Sequence, residues 1–139
     1  MKLVDNFINE MVKSGIAKED IQVIETSEDN SVALSFFLQS DNDMLLQIGL
    51  YIMDDGKEVD VSVRQHIEDF DMNNKLKLLD KMNELNMSYR KVVFYYSEDS
   101  GEIMTVAKIS DTIDNDLDKL LVITMSCVQV ADEEFPTLI

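Results

Sequence analysis

Cysteine occurs once, at Cys127, so no internal disulfide can form and a reducing compartment is the natural setting. Glycine occurs four times, at Gly15, Gly49, Gly56 and Gly101, all far apart, which excludes a glycine-rich phosphate cradle. The one histidine, His66, cannot build a multi-histidine metal site. The longest uncharged run, Leu120 to Ala131, falls short of the roughly 20 apolar residues that span a bilayer. The first sixteen residues alternate apolar and charged side chains, so no secretory leader is expected. Cations are scarce: 12 Lys and Arg stand against 28 Asp and Glu, a net charge of −16. General electrostatics would repel nucleic-acid phosphates and anionic membranes.

What is present suits one domain over residues 1–139 with a core that needs no staples, since 45% of residues are apolar. Leu3, Val4, Phe7, Ile8, Met11 and Val12 recur at helical spacing and predict a helix over residues 2–14, ended by Gly15. The period then changes to two. Val32–Leu38, Met44–Met53 and Val59–Val63 alternate as strands, with Ile21–Ser27 a weaker first strand. Glu28-Asp29-Asn30, Asp41-Asn42-Asp43 and Asp55-Gly56 supply turns, so these four strands form an antiparallel meander. Asp71 can cap a second helix carrying Met72, Leu76, Leu79, Met82 and Leu85, with Leu78 beside them. Val92–Tyr96 and Ile103–Ile109 form a hairpin about Gly101, and a last helix runs from Leu117 to about Glu134, where Pro136 stops it. Leu117, Leu120, Leu121, Thr124, Val128 and Ala131 make its core face. The predicted order is α-β-β-β-β-α-β-β-α, an α+β fold with one antiparallel sheet packed by helices.

The candidate chemistry is thin. Asp69, Asp71, Asn73 and Asp80 match part of a calcium-loop spacing, but Asn74 replaces the turn glycine and the last ligand is not glutamate. Asp114, Asp116 and Asp118 repeat the spacing and read better as negative charge at a helix start. Cys127 sits on an apolar helix with no basic neighbour, as a core thiol does. His66 has no serine or acid set beside it by a catalytic pattern. No metal, cofactor or catalytic residue is therefore expected. Lys75, Lys77, Lys81, Arg90 and Lys91 form the one locally basic stretch.

The run Leu78 to Asn86, then Val92-Val93-Phe94-Tyr95, then Asp99 to Ile103, then Ala131 to Leu138 resembles the YbjN-domain family of bacterial sensory transduction regulators. The resemblance covers residues 57–138. That family is similar in fold to the small acidic chaperones of type III secretion. The resemblance implies a non-enzymatic, protein-binding adaptor or chaperone-like regulator of the bacterial cytoplasm, and supplies no catalytic residues. The charge of −16 supports a rival expectation, an acidic inhibitor that mimics nucleic acid and occupies a basic groove. One sheet face carries Phe37, Leu45, Tyr51 and Met53 where a solvated face would be polar, and the second hairpin adds Val93 and Tyr95. The second helix could cover this face. Otherwise Phe37, Tyr51, Met53 and Tyr95 form part of an interface with a protein partner or a second subunit.

Overall fold

The computed structural model describes residues 2–26, 30–53, 56–67, 71–107 and 116–138, and for Met72 the backbone alone. The elements are α1 (Lys2–Lys13), β1 (Gln22–Thr26), β2 (Ser31–Gln39), β3 (Leu45–Met53), β4 (Glu58–His66), α2 (Lys75–Ser88), β5 (Val92–Ser97), β6 (Glu102–Ala107) and α3 (Leu117–Leu138). The fold is α+β in the expected order. Six strands form one sheet in the order β1-β2-β3-β4-β6-β5, every neighbouring pair antiparallel. Asn30 and Asp43 take the left-handed backbone their turns need, at φ 51° and 60°, as short polar side chains tolerate.

The alternation in the strands sorts side chains onto two faces. Val32, Leu34 and Phe36 on β2 stand beside Ile52, Leu50 and Ile48 on β3, then Val59, Val61 and Val63 on β4, all buried. Thr105 and Ile103 on β6, with Phe94 and Val92 on β5, continue that face. All three helices pack there. α1 contributes Leu3, Val4, Phe7 and Met11, with the Phe7 ring 6.3 Å from that of Phe36. α3 contributes Leu120, Thr124, Cys127, Val128 and Ala131.

Two expectations need correction. The buried residues of α2 are Leu78 and Met82, and Leu76 is 75% exposed. Asp71 does act as a cap, its Oδ1 accepting the Asn73 N–H at 2.9 Å, but it starts a short 3-10 turn over Met72–Asn74. That tighter turn advances the chain by three residues per turn rather than 3.6, so the helical face starts afresh at Lys75. Leu78, Met82 and Leu85 then share the inward stripe, Leu85 half-buried. The second correction is that Pro136 does not end α3, which runs on to Leu138. Continuation buries Phe135 and Leu138, each worth about 1.5–3 kcal/mol. Together these offset the roughly 3 kcal/mol that proline costs inside a helix. The carbonyl that Pro136 cannot engage belongs to Asp132. It accepts the Asn42 side-chain amide at 3.1 Å, while the Asn42 N–H donates to Asp132 Oδ1 at 3.2 Å. The β2–β3 turn is thereby docked on α3.

Candidate functional site

Because the helices share one face, no described helix lies on the other. There, Ala33, Ser35 and Phe37 of β2 stand beside Tyr51, Gly49 and Gln47 of β3. The row continues through Asp60, Ser62 and Arg64 of β4 to Val106 and Met104 of β6, then Val93 and Tyr95 of β5. Small side chains make the centre low. Gly49 lies so close to β4 that a Cβ on it would meet Ser62 Oγ at 3.0 Å. Larger side chains stand around it and enclose a trough of about 540 Å³ lined by Ser35, Gln47, Tyr51, Ser62, Arg64 and Tyr95. A second hollow of about 690 Å³ shares Gln47 and Arg64 and extends to Phe37, Leu45, His66 and Glu102.

The trough is partly pre-set by its own hydrogen bonds. The Tyr51 hydroxyl pairs with Ser31 Oγ at 2.8 Å, and Ser31 Oγ also pairs with Thr26 Oγ1. Gln47 Nε2 donates to Ser35 Oγ at 3.0 Å. These bonds fix one ring edge and one amide at the margin of the trough, as recognition sites do. Arg64 faces Glu102 at 4.0 Å and is 41% exposed, a separation and a solvation that make the pair weak. Arg64 therefore keeps donor capacity towards the trough. His66 is exposed at the end of β4, its Nδ1 donating to the Ser100 carbonyl at 3.1 Å.

The four residues singled out by alternation all lie on this face, but not together. Tyr51 and Tyr95 line the first trough, and Phe37 lines the second. Met53 sits opposite Glu58 at the far end of β3, about 20 Å along the strand from Gln47, which pairs with Phe37. Phe37 is 57% and Tyr95 42% exposed, while Tyr51 and Met53 are half-buried. α2 does not cover them; it packs against β5 on the helical side, with Tyr89 5.6 Å from Phe94 ring to ring. Alternation alone did not single out Arg64 or Met104. Arg64 obeys the period of β4, but its place in the trough depends on β4 pairing with β6, which crosses the α2 connection and leaves no local signal.

Other sequence candidates resolve into structure. Asp69 and Asp114 lie outside the described residues. Asp116 Oδ1 accepts the Lys119 N–H at 3.2 Å and caps α3. Cys127 is buried, which pushes its thiol up to about 11. Burial, then the hydrogen bond to Glu134 Oε1 at 2.9 Å, pushes the Tyr89 hydroxyl up to about 12. Among the described residues no three His, Cys, Asp or Glu side chains are grouped to hold a metal ion, and no helix is long and apolar enough to cross a membrane. Compared with protein-family models, curated protein sequences and solved structures, the chain matches none.

Proposed function

We propose that the chain is a non-enzymatic protein-binding adaptor or chaperone-like regulator of the bacterial cytoplasm, in line with its resemblance to the YbjN-domain family, and that its open sheet face is the binding surface. One observation carries the reading. Three helices share one side of the sheet, and the other side presents Phe37, Leu45 and Tyr95 to solvent around a trough. An antiparallel sheet that meets only water on one side is polar there. Aromatic and methionine side chains instead suit a contact that buries area inside a polar rim. The test is the double substitution Tyr51→Ser and Met53→Ser. The tagged protein is used to capture a partner from its own host, and oligomeric state is read by light scattering. Loss of capture or of self-association with a melting temperature lowered by only a few degrees is the expected result. A large loss of stability with capture retained would make the patch ordinary packing and end the proposal.

A further inference from the structure

The two margins of the sheet are finished differently. On one side β5 is outermost, and Asn86 from α2 occupies its free edge: Oδ1 accepts the Phe94 N–H at 2.7 Å and Nδ2 donates to the Phe94 carbonyl at 3.0 Å. On the other side β1 is short and pairs only with Ser31–Ser35 of the longer β2. Phe36–Gln39 have β3 on one side and no strand on the other among the described residues. The Ser40 N–H donates to the Met44 carbonyl at 2.8 Å, which sets the phase of the β2–β3 ladder. Counting back in twos, Leu38 and Phe36 bond to β3, so Phe37 and Gln39 aim their N–H and C=O groups at the open side. No protein partner for these four backbone groups occurs among the described residues.

Beside them lies a trough of about 830 Å³ between the end of β2 and the loop after α1. Ile16, Leu38, Phe37 and Leu45 supply its apolar lining, and its charged lining residues, Glu19 and Asp20, are both acidic. Phe37 and Leu45 also face the open side of the sheet, so the notch and the binding face are continuous.

We propose that this notch takes an extended segment of a partner protein, with apolar residues alternating with Lys or Arg, as an added strand on β2 at Phe37–Gln39. The inference rests on the protein-binding reading above and names the partner's chemistry. Unpaired strand groups supply main-chain hydrogen bonds, and the alternating pockets select side chains of one parity. Apolar side chains of that parity meet Phe37 and Leu45. Cations meet Glu19 and Asp20 within the field of a chain of net charge −16, which also steers their approach. A second copy of the chain would bring its own −16 to the same acidic rim, so the field disfavours it.

The test uses the intact chain and a fluorescent peptide of about ten residues that alternates valine and lysine. Two further versions are N-methylated on one or the other set of alternate residues, which leaves charge and length unchanged. Anisotropy titration is expected to give one-to-one saturation. One methylated version binds as the parent does, and the other binds about tenfold more weakly, because only one set of amides faces β2. Amide exchange at Phe37 and Gln39 slows on binding. The Gln39→Pro variant removes one outward N–H without touching the β3 ladder and weakens binding by a similar factor. The Glu19→Lys/Asp20→Lys variant, at exposed positions, also weakens binding and decides the matter even if Gln39→Pro does not fold. Equal binding of all three peptides would reveal mere charge attraction and overturn the proposal. So would no saturation by about 1 mM peptide, a weak regime near the limit of specific association. If capture of a host partner is lost in Tyr51→Ser/Met53→Ser while the peptide arms fail, the open-face reading stands and strand addition does not.

Discussion

The clamp of Asn86 on Phe94 allows a sharp prediction. A planar amide presents one acceptor and one donor at the spacing of a strand residue, so Asn86 takes the place of a strand on the side of β5 where none lies among the described residues. Asn86→Ala removes both bonds and leaves the Phe94 N–H and C=O to whatever water reaches a partly buried site. Two hydrogen bonds at about 0.5–1.5 kcal/mol each, with part of the desolvation cost unrecovered, give a loss of about 2 kcal/mol. For 139 residues the unfolding entropy is about 0.3 kcal/mol/K, so the melting temperature should fall by about 7 °C. Differential scanning calorimetry measures the fall, and hydrogen exchange at the Phe94 amide should quicken in step. Met87→Ala, at the next residue and 88% exposed, is the control that should change little. A fall of under about 2 °C, with the Phe94 amide still protected, would refute the clamp.

Two further predictions concern buried groups. Thr105 is fully buried and its hydroxyl has no hydrogen-bond partner among the described residues, so Thr105→Val should stabilise the fold by about 1 kcal/mol in urea titration. A loss of stability would show that the hydroxyl is bonded after all. Cys127, raised from its ordinary value near 9 to about 11, stays neutral in the fold and should resist thiol reagents until unfolding. A raised folded value means stability complete below pH 9 and lost as pH rises through 11, on the order of 2–3 kcal/mol. Tyr89 adds a loss at higher pH, between 10 and about 12. Cys127→Ala should flatten the curve between pH 9 and 10, and an unchanged slope there would assign the loss elsewhere.

Much of the fold was legible because period and punctuation agreed. Val32 to Phe36 and Leu46 to Ile52 alternate without a break, and Asn30 and Asp43 stand where left-handed turns occur. The inward face of α2 is not legible in the sequence because its leucines lie on more than one side. Leu76, Leu78, Leu79 and Met82 fit two stripes equally well, and only the 3-10 turn at Met72–Asn74 selects the one holding Leu78 and Met82. Pro136 misled because its usual effect is local, whereas here burial of Phe135 and Leu138 outweighs it. For the candidate site, alternation placed Phe37, Tyr51, Met53 and Tyr95 on one face, the face opposite the helices. It could not show that Tyr51 and Tyr95 line one trough from strands three places apart while Met53, two residues beyond Tyr51, does not line it, because strand order is a tertiary property. The open edge of β2 at Phe36–Gln39, where no second strand lies among the described residues, is invisible for the same reason: it is defined by where β1 pairing stops.

The proline in α3 has a consequence for the uniqueness of the native state. Every other carbonyl along a helix interior is equivalent to its neighbours, so a helix packed on a sheet through aliphatic side chains can in principle slide or rotate by a residue. Pro136 breaks that equivalence by freeing one carbonyl, that of Asp132, and Asn42 reads it. A shift of one residue would turn that carbonyl by about 100° and move it about 1.5 Å along the axis, out of reach of the β2–β3 turn. The contact spans ninety positions of sequence and so ties the meander to the last helix in a single alignment. A residue that weakens the helix as a helix thus serves as the key that admits α3 to the sheet in one register only.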